Sequence, residues 1–536
     1  LGDVYKRQEM KRPLINMLAL FICAGCTTAY SQHYFDTSIP NKYVEENQFL
    51  KIDADFAEPP AFEEAKPLLP EPSWPARPDV INCYWETWKK SFSNMRQVTK
   101  ENGFVSPYIF PPFVNKNIFM WDGCFMTMYG RYANNAFKYI RSLDNFYCKQ
   151  HKDGFICREI SMDDGTDCFA KFDVSSTGPN IMPWAEWEYY QSFGDKERLK
   201  AVFSPLLAYY QWYRTYRSWP DGSYFSSGWG CGMDNQPRLP EGEQYDPRFS
   251  TGFMSWIDIN MQQIFCGKIL IRMAGILGRE NDVKDIEDEV KMLTQYVQKN
   301  MWDDKTAFFY DRYRDGSLNY VQSIAAYWSL LADVVPADGK DRFIGHLNDP
   351  KKFKRVHRVP TLSADAPGYD ADGGYWRGAI WASTNYMVLK GLTKFGEDAL
   401  AHEITMNHVL NVVEVFNETG KLWENYAPEA VGGRSLSEFL GWTALVPTSD
   451  LFEYIFGIRP DVPDNTLLID VRLTDEYGVK KYPFGQGGLL DILCKKRNKE
   501  TDKPSLSVQT NVPLKIILKW AGGEITKDIK PGKNKL

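Results

Sequence analysis

Ten stretches of this sequence repeat apolar residues at three- and four-residue spacing, and the intervals between them are long and rich in Gly, Pro, Asp and Trp. Such spacing lines one face of a helix with apolar side chains. It predicts helices over 84–98, 126–149, 183–193, 196–219, 255–277, 281–300, 321–335, 381–395, 397–416 and 437–456. Helices joined by alternately short and long loops suit a closed toroid of helical hairpins, with the long loops gathered at one end to carry function. After about Gly457 the pattern changes. Segments 466–473, 489–494, 504–509 and 512–520 alternate or run apolar between turn residues, which predicts a small β-rich region. Its tail, Lys527 to Leu536, is basic and expected to fray. Between 58 and 77, Pro59, Pro60, Pro67, Pro70, Pro72 and Pro75 read as an extended lead-in and not as a helix.

Residues 1–9 do not open on Met and read as upstream read-through or a sequencing scar, with Met10 as the start. Lys11 and Arg12 then precede an apolar run over 14–24, too short for an ordinary membrane span, which is the pattern of a secretory signal peptide. Ordinary cleavage after Ala29-Tyr30-Ser31 competes with lipid attachment at Cys26 in Cys23-Ala24-Gly25-Cys26, where Cys23 is atypical for a lipobox. On either reading the protein works outside the cytoplasm, periplasmic or secreted, and any membrane contact is through Cys26. The expected organisation is a scar plus leader over 1–31, a lead-in over 32–80, the helical catalytic domain over 81–457 and a β-rich accessory region over 458–536. The other eight Cys show no CxxC or Cys/His metal spacing, so neither zinc nor another cofactor is expected, and most should be buried thiols.

The net charge of −6 gives no sign of a nucleic-acid partner. Aromatic residues, with 17 Trp, 30 Tyr and 32 Phe, make up 15% of the chain. By composition alone that is a large core, but flat aromatic faces also match the apolar faces of sugar rings. Position decides between the two. Five loop segments set a carboxylate or Arg beside an indole or phenol: Met120-Trp121-Asp122-Gly123; the run Ser227 to Arg238, which holds Trp229, Gly232, Asp234, Asn235 and Pro237; Asp370 to Gly378, which holds Tyr375, Trp376 and Arg377; Leu422-Trp423-Glu424-Asn425-Tyr426; and Gly441-Trp442-Thr443. An Asp after Trp can simply cap a helix, and one such segment alone reads better that way. Five on the loops of one helical domain do not.

These segments resemble glycoside hydrolase family 63 and its relatives, which include processing α-glucosidases, mannosylglycerate hydrolase and, more distantly, trehalases. The strongest parts are Tyr375-Trp376-Arg377-Gly378-Ala379-Ile380-Trp381 with Asn385-Tyr386, and Trp423-Glu424-Asn425-Tyr426 with Phe439-Leu440-Gly441-Trp442-Thr443. The resemblance implies an (α/α)6 barrel, cleavage of an oligosaccharide or small glycoside with inversion, Asp234 in a Gly-x-Asp loop as general acid and Glu424 as general base. It also implies that Trp121 and Asp122 hold the sugar being cleaved off, and it makes Trp229, Asn235, Tyr375, Trp376, Arg377, Trp381, Trp423, Tyr426 and Trp442 substrate-binding candidates. Relatives often carry Gln-Pro-Pro where this chain has Gly178-Pro179-Asn180, so the glycone preference is expected to differ.

The chemistry agrees with this assignment. An inverting glycosidase needs a protonated carboxyl at the leaving oxygen and an ionised one that activates water across the ring. Gly232, Trp229 and Pro237 give Asp234 weakly polar neighbours that favour its proton, which Arg238 would oppose if it pointed there. Glu429 and Glu438 compete with Glu424, though Glu438 falls in a helical run. Asp365, Asp370 and Asp372 lack regular calcium spacing and read better as turn residues. Two rivals remain from the sequence. A His-dependent epimerase on a similar toroid is disfavoured because none of the six His falls in the five segments. A non-catalytic carbohydrate-binding protein needs the aromatics but not two carboxylates on matched loops.

Overall fold

The apolar spacing resolves into helices α1 (Pro78–Ser93), α2 (Met120–Gly130), α3 (Met182–Phe193), α4 (Lys196–Tyr216), α5 (Ile257–Leu277), α6 (Lys284–Asn300), α7 (Trp328–Ala332), α8 (Ala382–Lys394) and α9 (Asp398–Thr419). A 3-10 turn, Gly441–Leu445, then leads into a π-type helix, Val446–Ile455. The structure, a computed structural model, describes residues 38–113, 115–239, 246, 248–438 and 441–536. The expected leader over 1–31, with Cys26, and the motif residues Phe439 and Leu440 lie outside the described residues. Among those described, no helix is long and apolar enough to cross a membrane.

Local chemistry sets several helix ends. The Asp195 side chain accepts from the Arg198 N–H at the start of α4. Helices α3, α5 and α9 stop on Gly194, Gly278 and Gly420 in the left-handed conformation, at φ of 63°, 68° and 67°. Three expected helices are corrected. The one over 126–149 starts earlier and ends at Gly130, where a Cβ would lie 2.2 Å from the Tyr139 ring so that only Gly fits; short 3-10 turns and the four-residue helix Asp144–Tyr147 follow. The one over 321–335 shortens to a 3-10 turn, Ile324–Tyr327, running into α7, which Asp333 ends at φ 57°. In the one over 437–456, Ser437 belongs to a strand and the helical part begins at Gly441.

Helix α2 packs on α3, α3 on α5, α5 on α7, α7 on α8, α8 on the 441–445 turn, and that turn on α2, so the succession of pairs returns to its first member. Helix α4 packs on α3 and α5, α6 on α5, α9 on α8, and α1 on α9. At its centre is Trp184 of α3, fully buried. Its ring lies 5.9 Å from Phe125 of α2, 5.8 Å from Phe265 of α5, 5.7 Å from Trp328 of α7 and 5.9 Å from Tyr386 of α8. Its Nε1–H donates to Glu188 at 2.9 Å.

Glu188 opens a buried ionic quartet. Arg131 pairs with Glu188 at 2.7 Å and with Glu453 of the π-type helix, and Lys390 of α8 reaches Glu188 at 2.7 Å and Glu453 at 3.1 Å. The Tyr132 and Tyr386 hydroxyls donate to Glu453 at 3.0 and 2.9 Å. Burial works against the Glu188 carboxylate, but Lys390 and Arg131 outweigh it and hold its pKa at about 2.

The C-terminal part holds two sheets. Strand β1 (Glu71–Ser73) pairs antiparallel with β8 (Tyr477–Phe484); β2 (Asn117–Phe119), β3 (Glu159–Ser161), β4 (Trp423–Tyr426) and β5 (Gly433–Ser437) belong to the helical part; β6 (Ile458–Asp461), β7 (Thr466–Val471), β9 (Gly488–Cys494), β10 (Leu506–Thr510), β11 (Leu514–Trp520), β12 (Gly523–Ile529) and β13 (Gly532–Lys535) complete the set. The sheet orders are β1-β8-β9-β10-β13 and β6-β7-β11-β12. In β9, Leu490, Ile492 and Cys494 are buried while Leu489 and Asp491 face out, the period-two alternation of a strand with one covered face. The basic tail expected to fray is instead paired, β12 on β11 and β13 on β10. Part of the expected lead-in is a strand of the C-terminal sheet, with Pro72 tolerated because β1 is an edge. The lead-in also forms a short helix, Phe62–Ala65, where Glu64 accepts from the Ala61 N–H at 2.9 Å.

Because Arg131 ties α3 and the π-type helix together from inside, Arg131→Met is expected to lower stability by about 3–5 kcal/mol, leaving two buried carboxylates with Lys390 alone. Denaturant unfolding of the variant beside the wild type measures this.

Candidate active site

Strands β2 and β3 pair antiparallel, Asn117 opposite Ser161, and the Met120 N–H donates to the Arg158 carbonyl at 2.8 Å. This long-range pairing fixes the start of α2, so Trp121 and Asp122 occupy its first turn. Both are buried, and Trp121 Nε1 and Asp122 Oδ1 have no hydrogen-bond partner among the described residues. Burial, then the charge of Glu424, pushes the Asp122 carboxyl well above its ordinary range.

Asp234 follows a tight turn in which the Ser227 hydroxyl accepts from the Gly230 N–H at 2.9 Å. Gly232 sits at φ 78°, a left-handed conformation that favours glycine, and packs beside the Trp121 ring. Asn235 clamps the loop to the 370–378 segment: its Nδ2 donates to the Gly374 carbonyl at 3.0 Å and its Oδ1 accepts from the Trp376 N–H at 2.9 Å. Glu424 lies on β4. The backbones of Tyr426 and Ile380 exchange hydrogen bonds at 2.8 and 3.0 Å, and Trp442 Nε1 donates to the Glu424 carbonyl at 3.0 Å. The Glu424 carboxylate accepts from the Tyr375 hydroxyl at 3.3 Å and from the Leu436 N–H at 3.4 Å. Tyr375 is held at φ 67°, a left-handed conformation unusual for a bulky residue. Its phenol is pushed well above its ordinary value by burial and by the charges of Asp234, Glu424 and Asp122.

Burial raises Asp234 to about 6, with Arg158 opposing and Glu159 adding to the rise. Burial raises Glu424 to about 7; the Leu436 N–H opposes this and the Asp234 charge adds to it. Burial thus raises both carboxyls, and Glu424 also feels the charge of Asp234.

The other candidates fall into two groups. Trp376 and Trp381 stack at 3.7 Å and 5°, Trp381 lies 5.4 Å from Trp442, and all three are buried, as is Tyr426, whose hydroxyl accepts from the Trp423 N–H at 3.2 Å. They form the wall that supports β4 and the 370–378 loop. Trp423 packs over Gly433 and donates to Thr419 at 3.3 Å, and Arg377 donates to the Gly368 carbonyl of its own loop at 2.8 Å. Trp229 is half-buried, with the Arg158 and Arg248 guanidiniums 5.8 and 5.5 Å from its ring. Arg238 does not oppose the Asp234 proton: it is buried between Asp258 and Asp311, at 2.7 and 2.6 Å. Glu429 pairs with Arg355 at 2.5 Å and accepts from Tyr369 at 2.7 Å. Glu438 lies in a turn at φ 66°, not in a helix, and pairs with Lys90 and Lys421. Asp365 and Asp370 accept hydrogen bonds from Ser363 and from the Asp372 N–H, as turn residues do. Sequence reading missed Arg158 and Glu159. They belong to no aromatic segment, and only the pairing of β2 with β3 brings them to the site.

The Asn235 clamp and the Tyr375–Glu424 contact bring the loops that carry these carboxyls together on a helical scaffold. The family profile described as "Mannosylglycerate hydrolase MGH1-like glycoside hydrolase domain" matches residues 116–443, and the chain belongs to that family of glycosidases, within glycoside hydrolase family 63. It is 25% identical over 390 residues to an uncharacterized protein of Borreliella burgdorferi, covering 70% of this chain and 79% of that one. It is 22% identical over 281 residues to a probable mannosyl-oligosaccharide glucosidase of Schizosaccharomyces pombe, covering 46% of this chain and 34% of the relative, so the match spans about a third of that protein. The solved structure of the family 63 mannosylglycerate hydrolase of Thermus thermophilus in complex with glucose shares the fold at a TM-score of 0.56 and 19% identity, over 68% of this chain and 98% of that one.

The raised acids carry a stability consequence. A carboxyl whose folded pKa is raised binds its proton more tightly in the folded state, so stability is lost as pH rises from the ordinary value of 4.5 through about 7 for Glu424. Glu424→Gln should therefore be more stable than the wild type by about 1–3 kcal/mol at pH 8 and close to it at pH 4. Thermal unfolding at the two pH values reads the difference.

Proposed function

We propose that this chain is an exported inverting glycoside hydrolase that cleaves an α-linked glycoside, α-glucosidase-like, with Asp234 as general acid and Glu424 as general base. The observation that carries the assignment is the asymmetry of hydrogen bonding. Glu424 accepts from Tyr375 and from the Leu436 N–H, and both donors favour its ionised form. Among the described residues no other residue's side chain or N–H donates to Asp234. A carboxyl without donors is the better proton source, and one with donors the better base for water. In the reaction the Asp234 proton passes to the leaving oxygen as the glycosidic bond breaks, while Glu424 takes a proton from the water that attacks the opposite face. Trp121 Nε1 and Asp122 Oδ1, bare and buried, are free to meet sugar hydroxyls.

The same reading takes the helical part, 81–457, as an (α/α)6 toroid, with 458–536 as an accessory region. Export rests on the leader pattern over 10–31. The glucose complex named for the Thermus structure and the glucosidase name of the yeast relative favour a glucoside. The coverage of 98% of the mannosylglycerate hydrolase structure supports a second specificity, a small mannosyl or glucosyl acid, and trehalose stands behind both. Ion chromatography of purified protein with α-linked disaccharides, glycan fragments and mannosylglycerate separates these.

NMR immediately after mixing should show the anomer opposite to the substrate first; a retained anomer overturns the mechanism. Asp234→Asn should lose about 10²–10⁴ in rate on a natural disaccharide and much less on an aryl glycoside with an acidic phenol. Equal losses on both point away from an acid role. With the pair at about 6 and about 7, kcat/KM should follow a bell with its maximum between these values and fall on both sides. A flat profile from pH 5 to 8 rules out this pair as the ionisations that matter.

A further inference from the structure

Thr361 is fully buried, belongs to none of the five aromatic segments, and has no part in the mechanism above. It lies among single backbone bridges: Ser323 pairs with Leu362, Pro360 with Ile380, and Ile380 with Tyr426 of β4. Its hydroxyl is tied to the loop that presents Tyr375. That hydroxyl donates to the Trp376 carbonyl at 3.1 Å and accepts from the Gly378 N–H at 3.2 Å, and the Thr361 N–H donates to the Ala379 carbonyl at 3.3 Å. Its carbonyl is tied to the loop that carries Asp234, accepting from Gln236 Nε2 at 2.8 Å as well as from the Ile324 N–H at 3.0 Å. Gln236 is itself buried, and its Oε1 accepts from the Ser323 hydroxyl at 2.6 Å. Thr361 is thus bonded to Gln236, which follows Asp234 by two positions, and to Trp376, which follows the tyrosine that donates to Glu424. Asn235 meets the same loop from the other side, so the Trp376 N–H is held by Asn235 and its carbonyl by Thr361. A buried threonine needs hydrogen-bond partners in any fold. What distinguishes this one is that its partners are the loops of both carboxyls.

We propose that Thr361 and Gln236 are positioning residues that hold the acid loop and the base side of the site at one separation. The proposal rests on the reading of Asp234 as general acid and Glu424 as general base. Neither carboxyl is fixed by a helix: Asp234 sits in a loop, and Glu424 on β4, whose sheet has β5 as its one other strand. Inversion needs the carboxyls roughly 6.5–9.5 Å apart to admit a water. A misplacement of about 1 Å at a reacting group costs on the order of a hundredfold in rate. A shared buried anchor answers that need, because loops bonded to the same residue move together or not at all. Loss of the Gln236 bonds reaches Asp234 first. Loss of the Thr361 hydroxyl reaches Trp376 and Tyr375 first, and through Tyr375 the base.

Two variants separate these arms. Gln236→Met removes both side-chain hydrogen bonds at similar volume, and Thr361→Val removes the hydroxyl alone. Hydrogen exchange read by mass spectrometry should quicken over both 227–239 and 370–380 in each variant, because each loop is loosened through the other. Thr361→Ser, which keeps the hydroxyl, should exchange and turn over as the wild type does. On an α-linked disaccharide that the wild type cleaves, Gln236→Met and Thr361→Val should each lose about 10- to 100-fold in kcat. On an aryl α-glucoside with an acidic phenol, Gln236→Met should recover most of its loss, since that leaving group needs little protonation. Thr361→Val should lose as much as before, since attack by water still needs the base. Exchange that quickens only in the loop next to the substitution overturns the proposal, and so do equal losses on both substrates in both variants. If Thr361→Val does not fold, Gln236→Met alone carries both readouts. The exchange measurement needs no turnover, so failure of the acid assignment shows separately, as Asp234→Asn losing equally on both leaving groups while the two loops still loosen together.

Discussion

The helical part depends on one buried arrangement, in which Trp184 touches aromatic rings of four neighbouring helices and hands its indole N–H to Glu188, the first member of a quartet with Arg131, Lys390 and Glu453. The four charges sum to zero, and hydroxyls of Tyr132 and Tyr386 fill remaining acceptor positions on Glu453. A buried ion pair is weak evidence of stability by itself, because desolvation offsets the attraction. What the quartet supplies is specificity. Glu188 and Glu453 come from helices distant in sequence, and each satisfies the same two cations only when α3, α8 and the π-type helix are side by side. The aromatic contacts then bury the area that drives the packing.

That rigidity is spent on the loops. Tyr375 in a left-handed conformation, Asp122 and Trp121 with bare polar atoms, and two carboxyls raised by burial are each unfavourable by themselves. They persist because the Trp376–Trp381–Trp442 wall, the Asn235 clamp and the β4–β5 pairing fix the loops around them. The aromatic content therefore divides. Most of the indoles in the five segments are buried support for the site, and those beside the carboxylates, such as Trp121 and the half-buried Trp229, are few.

Helix existence was legible from apolar spacing, and the aromatic–carboxylate motifs named the loop segments that carry Asp122, Asp234 and Glu424. Helix ends were less so. Helix α2 gives way to a 3-10 turn after Gly130, and α7 stops at Asp333 in a left-handed turn, and periodicity carries neither. The tail over 527–536 looked frayed because its composition is basic, yet β12 and β13 are held by hydrogen bonds to strands that composition does not reveal. Arg238 was the cation nearest Asp234 along the chain, and its guanidinium is held by Asp258 and Asp311 instead.

By itself the sequence determined the helical class, the change to β structure after Gly457, and the residue types able to donate and accept a proton, because periodicity and functional-group chemistry are local properties. Only the tertiary structure decided which charges act on Asp234, which tryptophans face the site and which line its wall, and that Glu71–Ser73 joins the C-terminal sheet. Those outcomes are set by distance and burial between segments far apart in the chain, and electrostatic and packing energies follow separation in space, not position in sequence.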